Sequence, residues 1–178
     1  MLDILLYVVM ALIAAIVVLL LVASRRPDHF HSARSLRMAA PPERLFGLIE
    51  NLREMNRWNP YALRETGGKA EYSGPERGKG ARFDFAGSKS GSGYIEVLDS
   101  AAPSNVVMRL MMVKPFRADN RIEFTVAPAG GGSDVTWAMS GRQPLLMKAM
   151  SLIINCDKMV GRDFEEGLAN LKAIAEKP

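Results

Sequence analysis

Residues 144–177, PLLMKAMSLIINCDKMVGRDFEEGLANLKAIAEK, decide how the rest of the chain has to fold. Their apolar side chains recur at steps of three, four or seven, which is the period of one helix face. The members of this stripe are Ile153, Val160, Phe164, Leu168, Leu171 and Ala175. The spacing predicts a single long helix whose apolar face must lie on a large surface. Asp157 interrupts that face at a position where the period asks for an apolar residue.

The middle of the chain supplies such a surface as β-strands. In residues 121–126 and 135–140 apolar and polar side chains alternate, the pattern of a half-buried strand. The glycines of residues 129–133 predict a hairpin turn between these two strands, because glycine accepts positive φ. Residues 106–113 are apolar at nearly every position, so both faces of that strand are predicted to be covered. The whole pattern predicts seven strands with short antiparallel connections.

Two short helices are predicted after the first strand, which spans residues 32–38. Pro41 and Pro42 stop the strand and start the first helix, since proline is tolerated in a first helical turn. The second helix ends before Asn59-Pro60, because the residue before a proline is pushed out of the α region. The predicted fold class is therefore α+β, with a seven-stranded antiparallel sheet packed on one long C-terminal helix.

Residues 4–23 contain no charged side chain and are long enough to cross a bilayer as a helix. A cleaved signal peptide is the alternative, and the small residues near Ala23 would suit a cleavage site. No Lys or Arg precedes the run, however, and its apolar part is longer than that of a signal peptide. The sequence thus predicts a transmembrane anchor over 1–24, a linker over 25–31 and one domain over 32–178.

The charges that flank the apolar run predict its orientation. Arg25, Arg26, Arg34 and Arg37 follow it closely, whereas Asp3 is the only charged side chain before it. The positive-inside rule then places the C-terminal domain in the cytoplasm, on a single-pass protein of the inner membrane.

Composition and motifs exclude several classes of function. Lys and Arg exceed Asp and Glu by only 23 to 19 and are scattered, so we expect no nucleic-acid partner. A single cysteine, Cys156, allows no intrachain disulfide. The pair His29 and His31 could ligate a metal, but no further ligands accompany it, so no metal site is predicted. No catalytic set and no cofactor is predicted either.

Several short stretches resemble the START-like (SRPBCC) superfamily, whose Bet v 1-like members have the helix-grip fold. The resemblance is closest to its bacterial polyketide cyclase-like branch. It rests on APPERLF (40–46), WNPY (58–61), YSGP (72–75), KPF (114–116), VTWAM (135–139) and DKMVGRDFE (157–165). It implies a curved sheet that grips the last helix, with a cavity between them for a hydrophobic small molecule.

The residues predicted to contact such a ligand are those of the inward strand faces, the Asn-Pro turn and the last helix. They are Trp58, Tyr61, Phe83, Phe85, Arg109, Phe124, Trp137, Met139, Ile153, Asp157 and Val160. A buried Asp157 would have a raised pKa and could act as an acid, a base or a ligand anchor. The alternative is that it pairs with a nearby arginine or caps a loop at the edge of the stripe. Arg109 is its candidate counter-charge, unless it points outward.

Three hypotheses for the function follow. The first is a membrane-tethered module that holds a lipid or a polyketide-like molecule. The second is a cyclase-like enzyme in which Asp157 or Arg109 polarises a substrate. The third is a protein-interaction module similar to the Hsp90-activator branch of the superfamily. The superfamily alone does not choose among them, because one fold hosts many functions.

Overall fold

A computed structural model describes residues 2–153 and 155–177. The helices are α1 (Leu2–Ser24), α2 (Pro42–Glu50), α3 (Leu52–Met55), α4 (Pro60–Arg64), α5 (Leu145–Ile153) and α6 (Cys156–Ala175). The strands are β1 (His29–Met38), β2 (Lys69–Ser73), β3 (Arg82–Gly87), β4 (Gly91–Ala101), β5 (Asn105–Lys114), β6 (Ala118–Ala129) and β7 (Gly132–Arg142).

The chain divides into two compact units. The first, called here the two-helix unit, comprises Met1–Phe30 and Arg142–Cys156 and contains α1 and α5. The second, the sheet unit, comprises His31–Gly141 and Asp157–Pro178. Helix α6 therefore belongs to the sheet unit and α5 does not.

The sheet has the order β1-β7-β6-β5-β4-β3-β2, and the paired strands from β2 to β7 run antiparallel to their neighbours. The predicted seven-stranded α+β fold is confirmed for the described part of the chain. Strand β1 begins at His29, inside the stretch predicted as a linker. On β5 the prediction of two covered faces holds for Val106–Met108, whereas Val113 is exposed.

The prediction of a single C-terminal helix is wrong, because α5 ends at Ile153 and α6 begins at Cys156. The sequence between them has a physical reason to interrupt a helix. Asn155 belongs to the residue types favoured just before a helix start. The stripe of α6 nevertheless behaves as predicted, since Phe164, Leu168 and Leu171 are buried in the sheet unit.

A third short helix, α4, follows the two that were predicted. It begins at Pro60, where the sequence predicted only the end of a helix. The side chain of Asn59 accepts a hydrogen bond from the Tyr61 amide at 3.1 Å and so caps the new helix. Pro60 thus begins α4, some residues after α3 has ended at Met55, because its fixed φ suits a first turn.

Within the two-helix unit, α1 is long and apolar enough to cross a membrane. Helix α5 packs against it. Among the residues described, α1 is the one helix that meets these requirements of length and composition.

Candidate functional site

A cavity of about 630 Å³ lies inside the sheet unit. Strands β2 to β7, the segment from α3 to α4 and Phe164 of α6 form its walls. Most of the side chains that line its interior are apolar, among them Met55, Ile95 and Ile122. Its volume lies in the range typical of sites that bind small molecules.

The sheet contributes side chains to the cavity in register. Tyr72 on β2 pairs with Phe83, Phe83 with Ile95, and Ile95 with Leu110 on β5. All four line the cavity. Directly paired residues of adjacent strands share one face of a sheet, so this row forms a continuous apolar floor across four strands.

One side of the cavity is tightly packed. The rings of Trp137 and Phe164 are stacked with centroids 4.3 Å apart and planes inclined by 12°. Gly167 lets α6 approach this pair, because a Cβ there would lie 2.6 Å from the Trp137 ring and 3.0 Å from Pro60 Cδ. We call Trp137, Phe164 and Gly167 the wall. Its close contacts position α6 against β7.

The lining residues that are exposed to solvent lie in 66–70 and in Ala86 and Lys89, so the cavity opens between these segments. Glu65, at the end of α4, spans this opening. Its carboxylate accepts hydrogen bonds from the backbone amides of Lys89 and Ser90 at 3.0 Å each. The Ser90 hydroxyl in turn donates to the Tyr61 carbonyl oxygen at 3.0 Å. We call Glu65, Gly87, Lys89 and Ser90 the mouth.

The mouth depends on charge and on a missing side chain. The amides of Ser90 and Lys89 hold the pKa of Glu65 below its ordinary value, because they stabilise the carboxylate. A Cβ on Gly87 would lie 2.0 Å from a carboxylate oxygen of Glu65. Only glycine at position 87 therefore leaves room for Glu65 in this arrangement.

Two of the residues that line the cavity are tyrosines, Tyr61 and Tyr72. The hydroxyl of Tyr72 accepts a hydrogen bond from the side-chain amide of Asn56 at 2.9 Å. Burial, and then the neighbouring Asp163, raises the pKa of Tyr61, so its hydroxyl stays protonated. Asp163 also accepts a hydrogen bond from Arg64 at 2.7 Å. Hydroxyl groups of this kind can donate hydrogen bonds to a ligand or accept them from it.

Five of the residues predicted to contact a ligand line the cavity: Tyr61, Phe83, Phe85, Trp137 and Met139. Trp58 and Phe124 lie in the fully buried core beside it instead. The Trp58 indole N–H donates to the Leu48 carbonyl at 2.9 Å, and its ring meets those of Phe124 and Trp137 edge to face. These two residues support the wall from behind.

The expectation that Asp157 is buried and has a raised pKa is wrong. Its side chain is 59% exposed at the start of α6 and lies outside the cavity lining. The Ser32 hydroxyl donates to it at 2.7 Å and, together with Arg34 at 3.3 Å, holds the pKa of Asp157 below its ordinary value. The alternative of a pairing with a nearby arginine is confirmed. A carboxylate this exposed pays no burial penalty large enough to raise its pKa.

Arg109 is not the partner of Asp157. It points to solvent and forms a two-pronged pair with Asp119, with one contact at 2.8 Å. Val160 is half-buried on α6 and lies outside the cavity lining. Ile153 ends α5, and its side chain lies outside the described part of the structure.

No group of three or more His, Cys, Asp or Glu side chains that could hold a metal ion occurs in residues 2–153 and 155–177.

The family model for polyketide cyclases, dehydrases and lipid transport proteins matches residues 29–176. The chain belongs to this family. The match covers the sheet unit except for its last two residues and confirms the superfamily that the short stretches indicated. No curated protein sequence matches the chain significantly.

Solved structures confirm the helix-grip fold. A protein from Chromobacterium violaceum is 17% identical, with a TM-score of 0.60, over 86% of this chain and all of the other. The Aha1 dimer from Colwellia psychrerythraea is 14% identical, with a TM-score of 0.59, over 83% of this chain and 96% of the other. Ara h 8.0201 is 9% identical, with a TM-score of 0.58, over 83% of this chain and 97% of the other. At such identities the likeness concerns the fold alone.

Sequence reasoning missed the mouth and part of the floor of this family member's cavity. Glu65 and Ser90 lie in segments without apolar periodicity, so no pattern connected them. Leu110 and Met112 belong to a strand that is apolar on both faces, and alternation could not show which face looks inward. Phe164 belongs to the apolar stripe of the last helix. That position was the sequence signal that could have added Phe164 to the predicted site.

Proposed function

We propose that this chain holds a hydrophobic small molecule, lipid-like or polyketide-like, in the cavity of the sheet unit and is tethered to a membrane by α1. The observation that carries the proposal is the cavity itself, about 630 Å³ of space lined mainly by apolar side chains. Apolar surface that faces water is unfavourable, so a ligand that replaces the water stabilises the folded protein.

The polar groups support an uncharged or weakly polar ligand. Tyr61 and Tyr72 line the cavity, and the hydroxyl of Tyr61 stays protonated. A few oriented polar groups on an apolar wall are the usual means by which a site fixes the orientation of its ligand. The family to which the chain belongs includes lipid transport proteins, which agrees with cargo of this kind.

The tether rests on the length and composition of α1. The arginines after the helix, beginning with Arg25 and Arg26, favour a location of the sheet unit on the cytoplasmic side of the inner membrane. A module held at that surface would meet hydrophobic molecules where they are most concentrated.

The test compares two tryptophan variants of neighbouring residues on β5. Leu110 lines the cavity, whereas Met111 does not, since successive strand residues point to opposite faces. Leu110→Trp fills the space and Met111→Trp adds the same bulk elsewhere. The full chain of each variant is purified in detergent, and the molecules it carries from the cell are measured by native mass spectrometry and lipid extraction.

We expect the wild type and Met111→Trp to carry the same apolar molecule and Leu110→Trp to lose it. The circular dichroism and the unfolding transition of all three proteins show whether they are folded. Equal cargo in both variants, or no cargo in a folded wild type that is also supplied with a cellular lipid extract, would overturn the proposal.

A further inference from the structure

Helix α5 lies against one end of α1 in the two-helix unit. Burial along α1 is concentrated at Leu19, which is half-buried, and at Ala23, which is fully buried. These residues are one helical turn apart on the same face. Helix α5 is the element that packs on α1. It therefore lies at the level of the last turns of α1, just before Arg25 and Arg26.

On α5 apolar side chains are exposed and the charged side chain is buried, the opposite of a helix that faces water. Leu145 and Leu146 are 46% and 57% exposed, and Met147 and Met150 are partly exposed. Lys148 is the only charged residue in the sequence of α5, and it is 5% exposed. A helix on a soluble surface places its charges outward and its leucines inward.

The buried Lys148 connects α5 to the chain that leaves α1. Its ammonium group donates to the carbonyl oxygen of Arg26 at 3.0 Å and to the carboxylate of Asp28. The backbone amide of Gln143 donates to the carbonyl of Asp28 at 2.8 Å, which holds the start of α5 to the same segment. These contacts fix α5 beside the C-terminal end of α1. The charge of Lys148 is paired with Asp28 within the same unit.

The charges at this end of the unit suit an anionic surface. Arg25, Arg26, Arg142 and Lys148 are basic and Asp28 is acidic, which gives 4 − 1 = +3 with His29 neutral. The three arginines are exposed. Basic residues beside a membrane span are attracted to anionic phospholipid headgroups.

We propose that α5 is a second membrane-contacting element, which lies at the boundary between the headgroups and the acyl chains of an anionic phospholipid bilayer beside the exit of α1. Leu145 and Leu146 enter the apolar layer, and the arginines contact phosphate groups. Helices with one apolar surface flanked by basic residues bind bilayers in this way. This inference rests on the membrane tether proposed above, because the surface of α5 continues that of the spanning helix.

The test uses the full chain with Cys156→Ser and one new cysteine that carries an environment-sensitive fluorophore. The label is placed at Leu146, at Ile13 in the middle of α1, or at Glu71, an exposed residue of β2. Each protein is reconstituted in vesicles of phosphatidylcholine and phosphatidylglycerol. Lipids that carry a spin label near the headgroup or deep in the acyl region then quench the fluorophore according to its depth.

The inference predicts blue-shifted emission at Leu146, with quenching by the shallow spin label about twofold stronger than by the deep one, as expected for a helix in the interface. The label at Ile13 is quenched more by the deep spin label, and the label at Glu71 keeps the emission of a probe in water. A label at Leu145 repeats the measurement if the change at Leu146 disturbs the helix. In vesicles of phosphatidylcholine alone, quenching at Leu146 decreases while quenching at Ile13 stays the same.

The other outcomes separate the two proposals. If Ile13 is quenched and Leu146 keeps a water-like emission, α5 lies outside the bilayer and the inference is overturned while the tether stands. A blue shift at Leu146 without quenching by either lipid means contact with protein, such as a second copy, and also overturns it. If Ile13 is not quenched, the tether itself fails. Equal quenching at Leu146 in both lipid compositions overturns the role of anionic headgroups.

Discussion

The wall and the mouth of the cavity are built in opposite ways. The wall consists of the buried rings of Trp137 and Phe164 in direct contact. Gly167 has no side chain, which leaves room for the Trp137 ring beside α6. The mouth consists of a few hydrogen bonds between Glu65 and a turn, in a region exposed to solvent. Dense apolar contacts stabilise a fold, whereas exposed hydrogen bonds open at low cost. We therefore expect the wall to contribute more to stability than the mouth and the mouth to open more readily.

The largest effect is expected at the centre of the wall. Phe164→Ala removes a ring that is 1% exposed and stacked on Trp137, and it should lower the free energy of unfolding of the sheet unit by about 3–5 kcal/mol. Met159→Ala is the matched control on the same helix, because Met159 is largely exposed. Chemical denaturation of the full chain in detergent measures both. Similar losses for the two variants would show that the wall is not the stable side.

Gly167→Ala tests the close approach of α6 to the wall. The added Cβ would meet Trp137 and Pro60 at 2.6 and 3.0 Å, and such overpacking costs about 1–3 kcal/mol. Gly47→Ala in α2 is the control, because its Cβ meets nothing within 4 Å. It should stabilise the protein by up to about 1 kcal/mol through better helix propensity. Thermal unfolding should move in opposite directions for the two variants, and a shift in the same direction would contradict the packing argument.

Gly87→Ala tests the mouth in the same manner, with a smaller global effect. The new Cβ displaces the carboxylate of Glu65, which is the flexible end of a side chain, so stability should fall by no more than about 1 kcal/mol. Hydrogen exchange at the amides of Lys89 and Ser90 should become faster, because they lose their acceptor. Gly67→Ala, where nothing lies within 4 Å, should leave both exchange rates unchanged. Unchanged exchange in Gly87→Ala would mean that Glu65 does not hold the turn.

The smallest effect on stability, and the most local one, is expected from the charge of Glu65. Since its pKa is lowered in the folded state, its contribution is complete above its ordinary value of 4.5 and is lost as pH falls through the lower, folded-state pKa. Exchange at Lys89 and Ser90, corrected for intrinsic rates, should therefore increase in that acidic range. Glu65→Gln should show the faster exchange already at neutral pH and no further step on acidification. Glu71→Gln, outside the cavity, should behave as the wild type does.

The sequence predicted the wall better than the mouth for a physical reason. Periodicity reports which side chains are covered, and Phe164 and Trp137 follow the periods of a helix and a strand. Glu65 and Gly87 act through backbone amides and through space left empty, and neither leaves a periodic signal. The seven strands were predicted correctly for the same reason as the wall.

Periodicity also gave a wrong prediction at the C-terminal end of the chain, where two different elements cover consecutive parts of one apolar stripe. The apolar spacing continues from α5 into α6, so the sequence indicated one helix, although α5 packs on α1 and α6 lies on the sheet. Asp157 stands near the start of α6, where an interruption of the stripe reflects exposure at a helix end and not a buried charge. A pattern shows that a face is covered but not what covers it.

The row from Tyr72 to Leu110 takes one side chain from each of four neighbouring strands. The hydrogen bonds between the strands involve only backbone atoms, so any one of these side chains can be exchanged without altering the order of the sheet. The length and breadth of the cavity can consequently be changed one strand at a time. A floor of this kind gives a designer a way to reshape the space inside the scaffold by single substitutions.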